Sequence, residues 1–198
     1  MTRALVVYCH PLEGSFVGVV RDRAVAALVA GGADVRVNDL YAAGFDPEFT
    51  AVERERHLTP GADPSLDGYV ADLLWCDTLV LVYPTWWSGQ PAMLKGWMER
   101  VWVQGVAWDL PEGADRLSPR LQNVRRLVAV TTHGSSKLVN AIEGEAGKRT
   151  MTRGLRLTCH RFARTSWIAM YGVDTSTERD RARFLTTVDR KLTQLTRH

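Results

Sequence analysis

The sequence predicts an α/β protein: a doubly wound, five-stranded parallel sheet, three layers thick, with helices on both faces. Short, continuous apolar runs such as Leu5–Tyr8, Thr78–Tyr83 and Leu127–Thr131 look like strands covered on both sides. Between them lie segments with helical period, and 198 residues suit one domain, residues 1–198, with a single filled core.

The elements follow in order. Leu5 to Tyr8 is the first strand. Ser15 is placed to cap a helix whose buried stripe is Phe16, Val19, Val20, Ala24, Ala27 and Leu28, ended by Gly31-Gly32. Asp34 to Val37 is a second, weaker strand, and residues 49–64 are polar and proline-bounded, a loop with some helix. Leu66 to Trp75 is helical, and Thr78 to Tyr83 is the most strand-like run of the chain. Pro91 stands in the first turn of a helix carrying Met93, Leu94, Trp97, Met98 and Val101. Residues 103–123 are irregular, Leu127 to Thr131 is the fourth strand, and Phe162 to Met170 supplies the fifth. Thr175 and Glu178 form a capping box opening a last helix with Leu185, Val188, Leu192 and Leu195 on one face.

Composition narrows the function classes. The net charge of +3 and the scattered Arg and Lys of the C-terminal region, without interleaved aromatics, indicate a solvated helix face, not a nucleic-acid surface. No apolar run approaches the roughly 18–20 residues that span a bilayer, so no membrane insertion is expected. The N-terminal apolar stretch, Ala4 to Tyr8, is too short for a secretion signal and has no small-residue cleavage site after it. Cys9, Cys76 and Cys159 form no Cys-x-x-Cys pair, which favours a reducing, cytoplasmic location. His10, His133 and His160 lack ligand spacing on one element, so no metal is expected. Ser88 and Ser135 lack the Gly-x-Ser-x-Gly elbow of a hydrolase nucleophile.

In an open parallel sheet, ligands sit beyond the carboxyl ends of the strands where the winding reverses. Three loops therefore matter. Cys9-His10-Pro11-Leu12-Glu13-Gly14-Ser15-Phe16 has neither Gly-x-Gly-x-x-Gly nor a Walker lysine. It offers an imidazole and a hydroxyl at a helix N-terminus, which suits a phosphate; Ser15 as a simple cap is the competing reading. Pro84-Thr85-Trp86-Trp87-Ser88-Gly89-Gln90-Pro91 puts two tryptophans at a strand end, where they bury against a ligand, another loop or a partner subunit. A flavin ring needs such an apolar wall together with N–H donors. Thr131-Thr132-His133-Gly134-Ser135-Ser136 adds hydroxyls suited to the far edge of the same ring.

On these loops the chain resembles the flavodoxin-like NAD(P)H:quinone reductase family, which also takes in modulators of drug activity, potassium-efflux ancillary proteins and, more distantly, FMN azoreductases. The matching residues are His10 with Ser15-Phe16, Asp39-Leu40-Tyr41 with Phe45-Asp46-Pro47, Pro84 through Trp102, and Thr131 through Ser135. The most specific piece is Pro91-Ala92-Met93-Leu94-Lys95-Gly96-Trp97-Met98-Glu99-Arg100-Val101.

The resemblance implies a flavodoxin-like three-layer sandwich that binds FAD or FMN non-covalently. It also implies hydride transfer from NAD(P)H as co-substrate, by a ping-pong route, to a quinone-like acceptor, in a homodimer. By the same resemblance His10, Ser15, Phe16 and Val17 approach the flavin phosphates and ribityl chain. Pro84, Thr85, Trp86 and Trp87 line the ring, and Thr131, Thr132, His133, Gly134 and Ser135 meet its pyrimidine side. There are departures. Val17 stands where the family often has Asn. The family's charge-stabilising Tyr and His fall on Val139 and Glu145, with Lys137 a candidate substitute and the catalytic residue left open. A flavin-bearing ancillary subunit of a membrane transporter would share all three loops and is the alternative reading.

Overall fold

The structure, a computed structural model, describes residues 1–196. Chain order runs β1 (Arg3–Tyr8), α1 (Phe16–Ala30), β2 (Asp34–Asp39), α2 (Ala51–Glu55), α3 (Asp67–Trp75), β3 (Thr78–Pro84) and α4 (Ala92–Val101). It continues with β4 (Trp108–Asp109), β5 (Ser118–Pro119), β6 (Arg126–His133), α5 (Lys137–Ile142), α6 (Ala146–Arg149), β7 (Arg164–Tyr171) and α7 (Glu178–Thr196).

Five strands make one parallel sheet in the order β2-β1-β3-β6-β7, the expected architecture. The period-2 alternation of the buried strands splits the core into two halves. Leu5, Val7, Leu79, Leu81, Tyr83, Leu127 and Ala129 point to the face covered by α3, α4 and residues 103–124. Ala4, Val6, Tyr8, Val80, Val82, Val128, Val130, Ile168 and Met170 point to the face covered by α1 and α7. Every strand residue from Thr78 to Pro84 is buried, as β3 lies in the middle of the sheet.

Some details differ from expectation. Val19 is 47% exposed and leaves the α1 stripe; Val17 and Gly18 join Val20, Ala24, Ala27 and Leu28 as its buried residues, because the helix turns its Val17 side to the sheet. The box at the head of α7 is formed by Thr177 and Asp180. Asp180 Oδ2 accepts from the Thr177 N–H (3.1 Å), and Thr177 Oγ1 accepts from the Asp180 N–H (3.2 Å). Thr175 belongs to the short 3-10 turn Val173–Thr175 before it. Strand β7 starts at Arg164, and Phe162 is exposed. The segment read as irregular contains the antiparallel pair β4–β5 and sends Val103, Val106, Ala107, Trp108 and Leu121 into the core.

Gly96 shows how tightly α4 is seated. A Cβ there would overlap the Pro47 backbone in the loop after β2, which has no flexible end to move aside. Gly96→Ala is expected to cost about 1–3 kcal/mol despite alanine's better helix propensity. Gly68→Ala on α3 meets open space and is expected to stabilise by about 0.4–1 kcal/mol. Urea unfolding of the two variants checks the contrast in sign.

Candidate functional site

The chain leaves β1 toward β2 on one side and returns to β3 on the other, so the loops after β1 and β3 part at the sheet's carboxyl edge. A cleft of about 660 Å³ opens there. It is lined by His10, Ser15, Phe16, Val17, Pro84, Thr85, Trp86, Trp87, Thr132 and Gly134, together with Val173, Asp174 and Arg181.

One end of the cleft gathers groups that could hold an anion. Ser15 has extended backbone and its Oγ accepts the Gly18 N–H (3.1 Å), so the capping role is present. The N–H groups of the first turn, those of Phe16 and Val17 among them, lie ahead of the intrahelical ladder, and that turn carries no acidic side chain of its own, although Asp174 also lines the cleft. His10 Nδ1 lies 3.1 Å from the Leu12 N–H and 3.2 Å from the Leu12 carbonyl, so the loop holds the ring by Nδ1, and Nε2 has no hydrogen-bond partner among the described residues. Arg181 adds a cation: its guanidinium lies 5.3 Å from the Phe16 ring centre, steadied by a bond from Nε to Ser176 Oγ (3.0 Å).

The other end carries the aromatic wall. Trp86 and Gly89 exchange backbone hydrogen bonds (3.2 and 3.0 Å) and close a tight turn. Its two central residues, Trp87 and Ser88, both have positive φ, 49° and 60°. Side chains other than glycine are strained in that region, by roughly 1–3 kcal/mol each, and such strain gathers at functional loops. The turn leaves Trp86 42% exposed and Trp87 fully exposed, with the Trp86 ring 6.1 Å from that of His10. Thr85 is anchored by its N–H to the Thr132 carbonyl (2.7 Å).

A family model described as the flavodoxin-like fold matches residues 2–194. The chain belongs to that family, which includes the NAD(P)H:quinone reductases. Ribosyldihydronicotinamide dehydrogenase [quinone] of Pongo abelii is 33% identical over 153 residues, covering 69% of this chain and 65% of the relative. The chain thus spans somewhat less than two thirds of that relative's length. The NAD(P)H:quinone oxidoreductase from Methanothermobacter marburgensis superposes with a TM-score of 0.84 at 22% identity, covering 98% of both chains. An FMN-dependent NADH-azoreductase from Bacillus anthracis, in complex with FMN, gives a TM-score of 0.75 at 13% identity, over 99% of this chain and 100% of that one.

Within this flavodoxin-like frame, three of the residues expected at the site do not line the cleft. Thr131 is wholly buried, His133 is 5% exposed, and Ser135 accepts the Gly172 N–H on its carbonyl (3.0 Å) and an Asn140 N–H on its hydroxyl (2.8 Å). Lys137 borders a different cavity with Lys148, Trp167 and Tyr171, and Val139 is exposed, so neither stands in the cleft. Glu145 is paired with Lys148 (2.7 Å).

Val173, Asp174 and Arg181 have no signal in the sequence that marks them for the site. Arg181 is one of several arginines on α7 that share the spacing of a solvated face, and only the helix's rotation singles it out. Cys9, Cys76 and Cys159 are buried and unpaired, and burial pushes each thiol up to about 12, so none is a thiolate nucleophile near neutral pH. A more closed cavity of about 270 Å³, between residues 49–63, Arg100 and Val103, includes none of the expected site residues.

Proposed function

We propose that the protein is a flavin-dependent NAD(P)H oxidoreductase that passes a hydride to a quinone or similar two-electron acceptor by a ping-pong mechanism. The observation that carries this reading is the meeting of an anion seat and a tryptophan wall in one open cleft at the winding reversal. Two similarities support it: a quinone dehydrogenase among the relatives and an FMN complex among the structural neighbours.

The donor set fits FMN or FAD. The head of α1, the His10 ring and Arg181 would hold phosphate. Pro84, Thr85, Trp86 and Trp87 would wall the ring, and Thr132 and Gly134 would meet its edge. A bound flavin supplies the two-electron exchange between nicotinamide and acceptor. The chain's share is to orient the ring, to leave one side of the cleft open so the two substrates take turns, and to exclude water with the indoles. The fully exposed Trp87 is a natural cover if a second copy docks over the cleft, which accords with the homodimer the family resemblance implies. Three buried, unpaired cysteines accord with a cytoplasmic setting.

The purified protein is expected to be yellow and to bleach on anaerobic addition of NADH or NADPH. Its colour should return when a quinone follows. Acid release identifies the flavin, and sedimentation gives the assembly state. A colourless chain that takes up neither FMN nor FAD removes the basis of the assignment.

A further inference from the structure

From Thr85 in the cleft wall inward, four side chains form one chain of hydrogen bonds. Thr131 Oγ1 lies 2.8 Å from Thr85 Oγ1, which lies 3.3 Å from His133 Nε2. His133 Nδ1 lies 2.7 Å from Asn140 Oδ1. The direction of this chain can be worked out from its far end. The Asn140 amide group gives one N–H to the Ser136 carbonyl (2.8 Å), which can only accept, and the other to Ser135 Oγ (2.8 Å). Asn140 Oδ1 is therefore the atom facing His133, so Nδ1 carries a proton. Neutral His133 then has a lone pair on Nε2, and the Thr85 hydroxyl donates to it.

This ordering has a consequence at the cleft. With its proton committed to His133, Thr85 shows the cleft only oxygen lone pairs. Thr131 is wholly buried, and its hydroxyl has no other side-chain or backbone partner among the described residues, so it donates to Thr85. If His133 gains a proton, Nε2–H donates to Thr85 instead. Thr85 then accepts from both His133 and Thr131, and its own proton is free to point into the cleft.

We infer that His133 is a positioning residue that sets the hydrogen-bond polarity of Thr85: an acceptor to a neutral ring, a donor to a ring that has become anionic. The inference rests on the flavin reading of the cleft. It gives the chain a response to developing negative charge although Val139 and Glu145 stand where the family's Tyr and His would be. One proton from solvent enters at Nε2 and none leaves Nδ1.

The groups around His133 suit a switch, not a permanent cation. Tyr171 of β7 stacks on the imidazole (4.6 Å between centres, 24° between planes), and Trp167 tilts against it at 6.0 Å. Burial favours the neutral ring and lowers its pKa, opposed by the Asn140 bond and by the carboxylates of Glu145 and Glu143. Lys148 sits on Glu145, and Lys137 opens the neighbouring α5. New negative charge beyond Thr85 would add to the two glutamates and draw the proton in.

The test is a pH titration of the His133 ring nitrogens by long-range ¹H–¹⁵N NMR in the flavin-loaded protein, oxidised and after dithionite reduction. Oxidised protein should hold the neutral, Nδ1-protonated ring near neutral pH, and reduction should move its titration upward by at least tenfold in proton affinity. In Thr85→Val the gap between the two titrations should narrow at least threefold, because the hydrogen-bond link to the cleft is cut and only the through-space field remains. In His133→Gln, the ratio of oxidised to reduced flavin affinities should lose the part of its pH dependence that follows the His133 titration in the wild type. A His133 ring that titrates identically in both redox states of the wild type overturns the inference and leaves flavin binding standing. A wild-type protein that binds no flavin overturns the functional reading and this inference with it.

Discussion

Glu53→Ala is expected to destabilise the protein by about 3–5 kcal/mol, because it strands a buried guanidinium. The Glu53 and Arg100 side chains are only 13% and 8% exposed and meet at 2.7 Å. Arg100 Nη1 also donates to the Asp46 carbonyl (2.6 Å), tying α4 to the loop after β2. Glu53 also closes the capping box of α2, where its Oε2 accepts the Thr50 N–H (2.9 Å) while Thr50 Oγ1 accepts the Glu53 N–H (3.2 Å). Urea denaturation should show the full loss for Glu53→Ala. The pair Glu53→Leu with Arg100→Leu should recover part of it, since no lone charge remains. A loss below about 1 kcal/mol, the range of exposed pairs, would show that water reaches the pair.

The same pair makes stability depend on pH with a definite sign. Burial by itself would raise the Glu53 carboxyl. The Thr50 backbone N–H, the Arg100 side chain and the Thr50 hydroxyl outweigh it and hold the group below the usual carboxylate range. A depressed folded pKa means the native state binds the proton less well than the unfolded chain. The contribution is therefore complete above the unfolded pKa and is lost as pH falls through the folded one. Glu53→Gln should flatten that acid limb.

Trp87→Ala is expected to weaken flavin binding about ten- to hundredfold, roughly 1.4–2.7 kcal/mol, with almost no effect on the fold. Trp87 is fully exposed, so its ring removes nothing from water within the chain. The thermal midpoint of the apo-variant should stay within about 2 °C of wild type. Alanine keeps the strained positive φ, so the comparison isolates the ring; Trp87→Gly should bind flavin as poorly yet stabilise the apoprotein by roughly 1 kcal/mol.

A control for this experiment must be a surface aromatic, which Trp108 is not. It is buried, its Nε1–H donates to the Trp102 carbonyl (3.0 Å), and its ring packs on His57, so its loss would cost about 3–5 kcal/mol of stability. Phe162, 69% exposed beside the start of β7, is the surface aromatic to replace instead. Unchanged flavin affinity in Trp87→Ala, with a shift from dimer to monomer, would assign the ring to a contact between copies.

The order of strands and helices was legible in the linear pattern because burial on two faces imposes one local rule on every central strand. Leu79, Val80, Leu81 and Val82 must all be apolar wherever the remainder of the chain goes. The loops after β1, β3 and β6 could be singled out for a related reason: parallel winding sends every strand's carboxyl end to one edge. Tertiary structure alone decided which side chains at that edge face the cleft and which support it from behind. His133 differs from Thr132 by one residue, and the alternation of β6 sends it inward to Asn140 and Tyr171. Arg181 differs from Arg179 and Arg183 only by its angle around α7, and Trp108 is core although its neighbourhood has no regular period. The strand and helix periods say which residues share a side, but packing between elements decides which side faces the cleft, so the sequence pattern alone does not record these choices.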